Sequence, residues 1–250
     1  MLQVAGLNDC HQLAVKSNKL CAGFDCVNSS SSKLDASSFL SFSSLFHHTV
    51  WVTKDFRSYA IGDNIEYQIH CSLQPALLIQ PTEFFVEDNQ NNKLNLVSVA
   101  CLSKGTMYMA KLPNIDHNTH LFYVYSSLNY GKPVFVDLED HFPISIFSGT
   151  SHCAAINDEG SILFISKTML EKNETVPQLF KLPNNEKATC IACCNDFLFA
   201  TSENGRLYSC PKVENSFTEF VMVVGIQCSR FIQVSGISNH CLALTSEGKV

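Results

Sequence analysis

His240 to Val250 reads HCLALTSEGKV, and the fold turns on this stretch. Leu242 and Leu244 alternate with smaller or polar neighbours, the period of a half-buried strand. Ser246-Glu247-Gly248 then signals a tight turn, because glycine accepts the positive φ such turns demand. A strand that runs into a tight turn is one half of a hairpin.

The stretch has relatives within the chain. HCAAINDEGSILFIS starts at His152, DFLFATSENGRLYSC at Asp196 and HTVWVTKDFRSYAIG at His48, while TMYMAKL from Thr106 is a worn copy. The residues five places into each copy are Thr53, Lys111, Asn157, Thr201 and Thr245, separated by 58, 46, 44 and 44 residues. Near-constant spacing means one supersecondary unit used repeatedly. In each unit an apolar strand enters a turn, as at Asp158-Glu159-Gly160 and Glu203-Asn204-Gly205, and a second strand returns. Phe56 stands where the other copies have glycine, so that turn is expected to be built differently. At Thr106 the turn is replaced by a longer excursion, PNIDHNTH (Pro113 to His120), before the strand LFYVY. FFVED, KPVFVDL and FTEFVMVV read as further strands, giving roughly four per repeat. Helical periodicity is weak, with Ser166 to Lys172 as one candidate.

Composition narrows the function classes. The chain has 250 residues, 46% hydrophobic and 16% charged, with a net charge of −6 and no basic run. That balance argues against nucleic acid or an anionic membrane surface as partner. The longest apolar stretches, such as FVMVVGI (Phe220 to Ile226), are too short to span a bilayer. MLQVAGLNDC lacks the regions of an export signal. The expectation is a soluble cytoplasmic protein, with the nucleus as the alternative location. The twelve cysteines are then reduced, several of them serving as small core residues.

The repeats resemble those of the regulator-of-chromosome-condensation family. VSGISNHCLALTSEGKV (Val234 to Val250) and FSGTSHCAAINDEG (Phe147 to Gly160) carry the first part of that family's repeat. AGLNDCHQLA and IGDNIEYQIH carry the later part, with Gly6, Asn8 and Gln12 matching Gly62, Asn64 and Gln68, each 56 residues on. The resemblance implies an all-β fold, a β-propeller with about five recognisable blades where the family usually has seven. It is expected to occupy residues 1–250 as a single domain, either whole or as the N-terminal part of a longer protein. The alternatives fit less well: the single tryptophan, Trp51, is followed by Val52 rather than Asp, and no Gly-Gly occurs. Because circular propellers close by sharing a blade between termini, Leu2 to Ala5 is expected to lie beside Leu242 to Thr245.

No residue pattern points to catalysis. His48, His152 and His240 occupy equivalent places in different copies, matched by Asp196 and Thr106, which suggests structural hydrogen bonds to neighbouring backbone. Cys190, Cys193 and Cys194 form a C-x-x-C without a second ligand pair, so they read as core residues, Cys190 and Cys194 on one strand face and Cys193 on the other. The stretch Glu87 to Lys93 is most simply a solvated loop, with a partner-binding loop as the alternative. No catalytic, cofactor-binding or metal-binding residue is assigned, and no cofactor is expected. The leading function is a protein-protein interaction scaffold rather than an enzyme, with contacts expected from irregular insertions such as Asn114 to His120 or Asn129-Tyr130. The resemblance also implies two alternatives: a guanine-nucleotide exchange factor for a Ran-type small GTPase, or the propeller part of a larger adaptor with a C-terminal BTB-type domain.

Overall fold

The computed structural model describes residues 3–7, 20–26, 38–45, 47–88, 90–111, 119–125, 132–213, 216–226 and 230–250. The chain divides into two compact units, residues 1–136 with 171–175, and residues 137–170 with 176–250.

In the first unit, β1 (Gln3–Leu7) pairs with β2 (Leu20–Cys26). Four strands follow as an antiparallel meander: β3 (Phe39–Leu45), β4 (His48–Thr53), β5 (Ser58–Asp63) and β6 (Leu77–Phe84). A second meander comprises β7 (Asn95–Leu102), β8 (Gly105–Lys111), β9 (Thr119–Tyr125) and β10 (Val134–Phe135). The two meanders pack through β3 and β7, where Val99 N and Cys101 N donate to the hydroxyls of Ser41 and Ser43 at 3.1 and 2.8 Å. Side chains on both faces of β4 are therefore covered, and Val50, Trp51 and Val52 are fully buried. A continuous rather than alternating apolar run is what two-sided burial requires.

The second unit repeats the plan. β11 (Pro143–Ser148), β12 (Cys153–Asn157), β13 (Ile162–Ile165) and β14 (Gln178–Phe180) form one sheet, with the single α-helix among the described residues, α1 (Lys167–Lys172), between its last two strands. β15 (Ala188–Cys193), β16 (Phe197–Ser202), β17 (Leu207–Val213), β18 (Ser216–Phe217) and β19 (Val221–Met222) form the next, and β20 (Phe231–Ile237) pairs with β21 (His240–Thr245). Four sheets thus have blade-like size, and two more are two-stranded among the described residues.

The hairpin turns share one geometry. Thr53, Asn157, Ser202 and Thr245 donate their backbone N–H to the carbonyl four residues on, at 2.8–3.0 Å. Their side-chain oxygens accept from the N–H of that same residue, Arg57, Ser161, Arg206 and Lys249. This explains the polar residue at the end of four of the five copies, all but the one that ends in Lys111: an uncharged oxygen there satisfies a backbone donor that the turn leaves over. The residue three places after it has positive φ: +60° at Phe56, +80° at Gly160, +75° at Gly205 and +79° at Gly248. So the turn at Phe56 is built like the others, contrary to expectation. The paired backbone and side-chain bonds over-determine the turn and hold a non-glycine residue in a region that costs it energy.

Other expectations need correction. In the fourth copy, the turn role falls to Ser202 rather than Thr201, whose hydroxyl instead meets that of Thr189 at 3.0 Å. The strand-entry position moves with it, since Cys194 N donates to Phe197 O as Gly149 N donates to His152 O, both at 2.9 Å. Phe197, not Asp196, is the counterpart of His152. FFVED is not a strand beyond Phe84. KPVFVDL and FTEFVMVV contribute only two-residue strands. The ladder of Gln3–Ala5 is with Leu20–Cys26 and that of β21 is with β20. The two stretches expected to lie together, Leu2–Ala5 and Leu242–Thr245, belong to different units, and Leu2 lies outside the described residues. A nearby partner closes a shorter loop at smaller entropic cost.

Candidate functional site

The three repeated histidines have different surroundings. His48 is fully buried at the start of β4. Its Nε2 lies 3.0 Å from Thr106 Oγ1, and that hydroxyl donates to the carbonyl of Gln68 at 2.9 Å. With the hydroxyl proton committed to Gln68, His48 must carry its own proton on Nε2. Desolvation by burial lowers its pKa to about 4, so the ring is a neutral donor at pH 7. This is a structural hydrogen bond, but its partner is a side-chain hydroxyl 58 residues on rather than the neighbouring backbone that the pattern suggested. His240, by contrast, is exposed, and its carbonyl accepts from Cys194 Sγ at 3.3 Å.

The Gly-x-Asn block of the later repeat is structural too. Asn64 is fully buried; its Oδ1 accepts from Ile69 N at 2.9 Å, and its Nδ2 donates to Gln74 O at 3.0 Å. Gln68 Oε1 accepts from Glu66 N at 3.0 Å. Together they fix the segment between β5 and β6, on which Tyr108 donates its hydroxyl to Ile69 O at 2.7 Å. Of the matching earlier block, Asn8 and Gln12 lie outside the described residues. In the stretch Glu87 to Lys93, of which Asn89 lies outside the described residues, Asp88 Oδ1 accepts from Gln90 N and Asn92 N at 2.8 Å.

Cys190 and Cys194 face β20 and β21, each thiol donating to a backbone carbonyl there, while Cys193 points into the core on the opposite face. Burial raises the pKa of Cys194 to about 11, so this thiol stays protonated at neutral pH. Among the described residues no group of three or more His, Cys, Asp or Glu is placed to hold a metal.

The third histidine does line a site. His152, 5% exposed, sits in the second unit with its ring 5.3 Å from that of Phe164 and 5.5 Å from that of Phe217. These rings belong to the wall of a cavity of about 440 Å³ also lined by Ser151, Ser166, Thr168, Gln178, Lys212 and Ser216. Lys167 contributes to the same wall. His152 Nε2 is buried and has no hydrogen-bond partner. Burial, and next the nearby Lys212 ammonium, lower the pKa of this imidazole to about 4. Apart from His152, sequence reasoning assigned none of these residues a site role. They come from five separate segments, and only the pairing of strands brings them together. The expected contacts at Asn114 to Asn118 and Asn129-Tyr130 lie outside the described residues; Thr119 and His120 belong to β9.

No protein-family model matches the sequence, and no curated protein matches it. Solved structures do. Human WBSCR16 superposes with a TM-score of 0.66 at 12% identity, over 84% of this chain and 61% of its own. Yeast RCC1 (Prp20), solved bound to Kap60, superposes with a TM-score of 0.57 at 14% identity, over 98% of this chain and 76% of its own. The fold is that of the regulator-of-chromosome-condensation propellers. A further structure of Prp20p, from Saccharomyces cerevisiae, has a TM-score of 0.54 at 13% identity over 98% of this chain and 78% of its own. Against that propeller framework, His48, Thr106, His152, Phe197 and His240 mark equivalent entries into the second strand of successive sheets. Chemistry therefore varies at a fixed backbone position: a structural donor at His48, a cavity wall at His152.

Proposed function

We propose that this propeller is a protein-protein interaction scaffold, with residues 1–250 serving as one domain and no enzyme activity of its own. The observation that carries the reading is an exposed apolar segment on and after β19. Val221, Met222, Val224 and Ile226 are 59%, 46%, 75% and 53% exposed. Only Val223 of this run packs inward, against the cluster of Ala192, Leu207 and Val234. A contiguous apolar segment on the surface is costly to leave in water and marks a place where another protein docks.

Replacing Val224 and Ile226 with Asp tests the reading. Partners captured by the wild-type chain should be lost by V224D/I226D with thermal unfolding unchanged, because both side chains already face solvent. Capture of the same proteins by both would overturn it.

A Ran-type small GTPase is the alternative partner. Its support is the fold shared over 98% of this chain with Prp20p, a structure described together with binding properties to Gsp1p and histones. Release of labelled guanine nucleotide from such a GTPase separates the readings. The scaffold reading expects no acceleration at catalytic amounts of this protein, and strong acceleration would put exchange activity in its place. Neither reading involves nucleic acid or a membrane. Among the described residues no helix is long and apolar enough to cross a membrane. The proposed location is cytoplasmic, with the nucleus as the alternative.

A further inference from the structure

We propose that the cavity beside His152 binds the phosphoryl group of a phosphomonoester. The inference is independent of the scaffold reading. At about 440 Å³ the cavity falls within the range of small-molecule sites. It is larger than inorganic phosphate needs, leaving room for an organic body. Its lining supplies the Lys212 ammonium, the hydroxyls of Ser151, Ser166, Thr168 and Ser216, and the Gln178 amide, with no carboxylate among the lining residues. A cavity with cationic and hydroxyl donors and no acidic side chain selects an anion.

Donor number favours phosphoryl over carboxylate. An ammonium offers three N–H groups and each hydroxyl one, and a phosphoryl group presents three strong acceptor oxygens where a carboxylate presents two. The His152 ring bonds the backbone of Cys194; because Nε2 is buried without a partner, that bond is made by Nδ1–H, and Nε2 of the neutral ring presents a lone pair to the cavity. A singly protonated phosphoryl group carries a P–OH that meets this lone pair, a donor that an ionised carboxylate lacks. Phe164 and Phe217, whose rings meet edge-on at 5.0 Å, give the wall an apolar part for the organic body.

The phosphoryl group has two possible sources, a free metabolite or a phosphorylated side chain of a protein. The test is a titration of the full chain, followed through the imidazole resonances of His152. The probes are O-phosphoserine, glycerol 2-phosphate and a capped phosphoserine peptide with uncharged flanks, each beside its unphosphorylated counterpart. The phosphorylated probes should shift the His152 signals, the unphosphorylated ones should not, and added salt should weaken binding. Lys212→Gln, a change at an exposed side chain, should weaken binding at least tenfold. Ser216→Ala provides a second variant, with a smaller loss expected. A peptide bound tenfold tighter than free phosphoserine would identify a protein source, and equal affinities would identify a metabolite; both support the site. An unmoved His152 at millimolar probe, or affinity unchanged in both variants, would overturn it.

Discussion

Phe56 offers a sharp test of the repeated turn. Its φ of +60° places a residue with a Cβ where three other copies have glycine. The left-handed conformation costs an L-residue about 1–2 kcal/mol. Replacing Phe56 outright by glycine would confuse two effects, because the ring is only partly exposed and its lost packing offsets the relief. Comparing Phe56→Gly with Phe56→Ala removes that problem, since both lose the ring and differ by one methyl group. At an ordinary backbone position glycine is the less stable of the two by roughly 0.5–1 kcal/mol. At Phe56 the order should reverse. Relief of about 1–2 kcal/mol, less about 0.4–1 kcal/mol for the freer unfolded chain, leaves glycine ahead by roughly 0.5–1 kcal/mol. For a chain of this length, 1 kcal/mol is about 2–4 °C in Tm. Urea unfolding of the two variants side by side measures the difference. If alanine proves the more stable by half a kcal/mol or more, Phe56 is not left-handed and the shared turn geometry is wrong.

Gly160→Ala should destabilise by about 2 kcal/mol or more, because residue 160 is left-handed and a Cβ there would collide with the backbone and side chain of Lys187; chemical denaturation measures it. Stability should fall as pH drops from about 7 towards 4. Burial lowers the folded pKa values of His48, His70 and His152 to about 4 from the ordinary 6.5, so the unfolded chain binds more protons in that window, and above it the effect is flat. Each histidine contributes on the order of 3 kcal/mol to that slope; His48→Gln should reduce it, and an unaltered slope would count against a buried neutral ring. Cys101, Cys153 and Cys193 are fully buried, whereas Cys71 is exposed. A thiol reagent followed by peptide mapping should therefore label Cys71 in the native protein and the other three only after unfolding.

The legible part of this fold was local. Turn glycines and the polar residue before them depend on neighbours within four positions, so HCLALTSEGKV and its copies reveal strands and turns directly. The register slip at Thr201 shows the limit of counting from an uncertain strand start. The count back from Gly205 leads to Ser202, because the turn geometry fixes the interval from the capping oxygen to the left-handed residue. Phe56 escapes the glycine signal for a related reason: glycine makes a left-handed residue inexpensive, but the bonds made by Thr53 can hold another residue there. The pairing of Gln3–Leu7 was not legible, since nothing in QVAGL marks Leu20–Cys26 as its partner. Nor was the cavity. Ser151, Gln178, Lys212 and Ser216 look like ordinary surface residues until β12, β14, β17 and β18 bring them around His152.

The interaction reading is tested most directly by placing a photo-crosslinking side chain at Val224, 75% exposed in the apolar segment, and at Lys54, an exposed turn residue remote in sequence, as the comparison. In cell extract a discrete crosslinked protein is expected at position 224, absent at position 54 and competed away by excess unlabelled wild-type chain but not by V224D/I226D. No crosslink at position 224, or equal labelling from both positions, would contradict it.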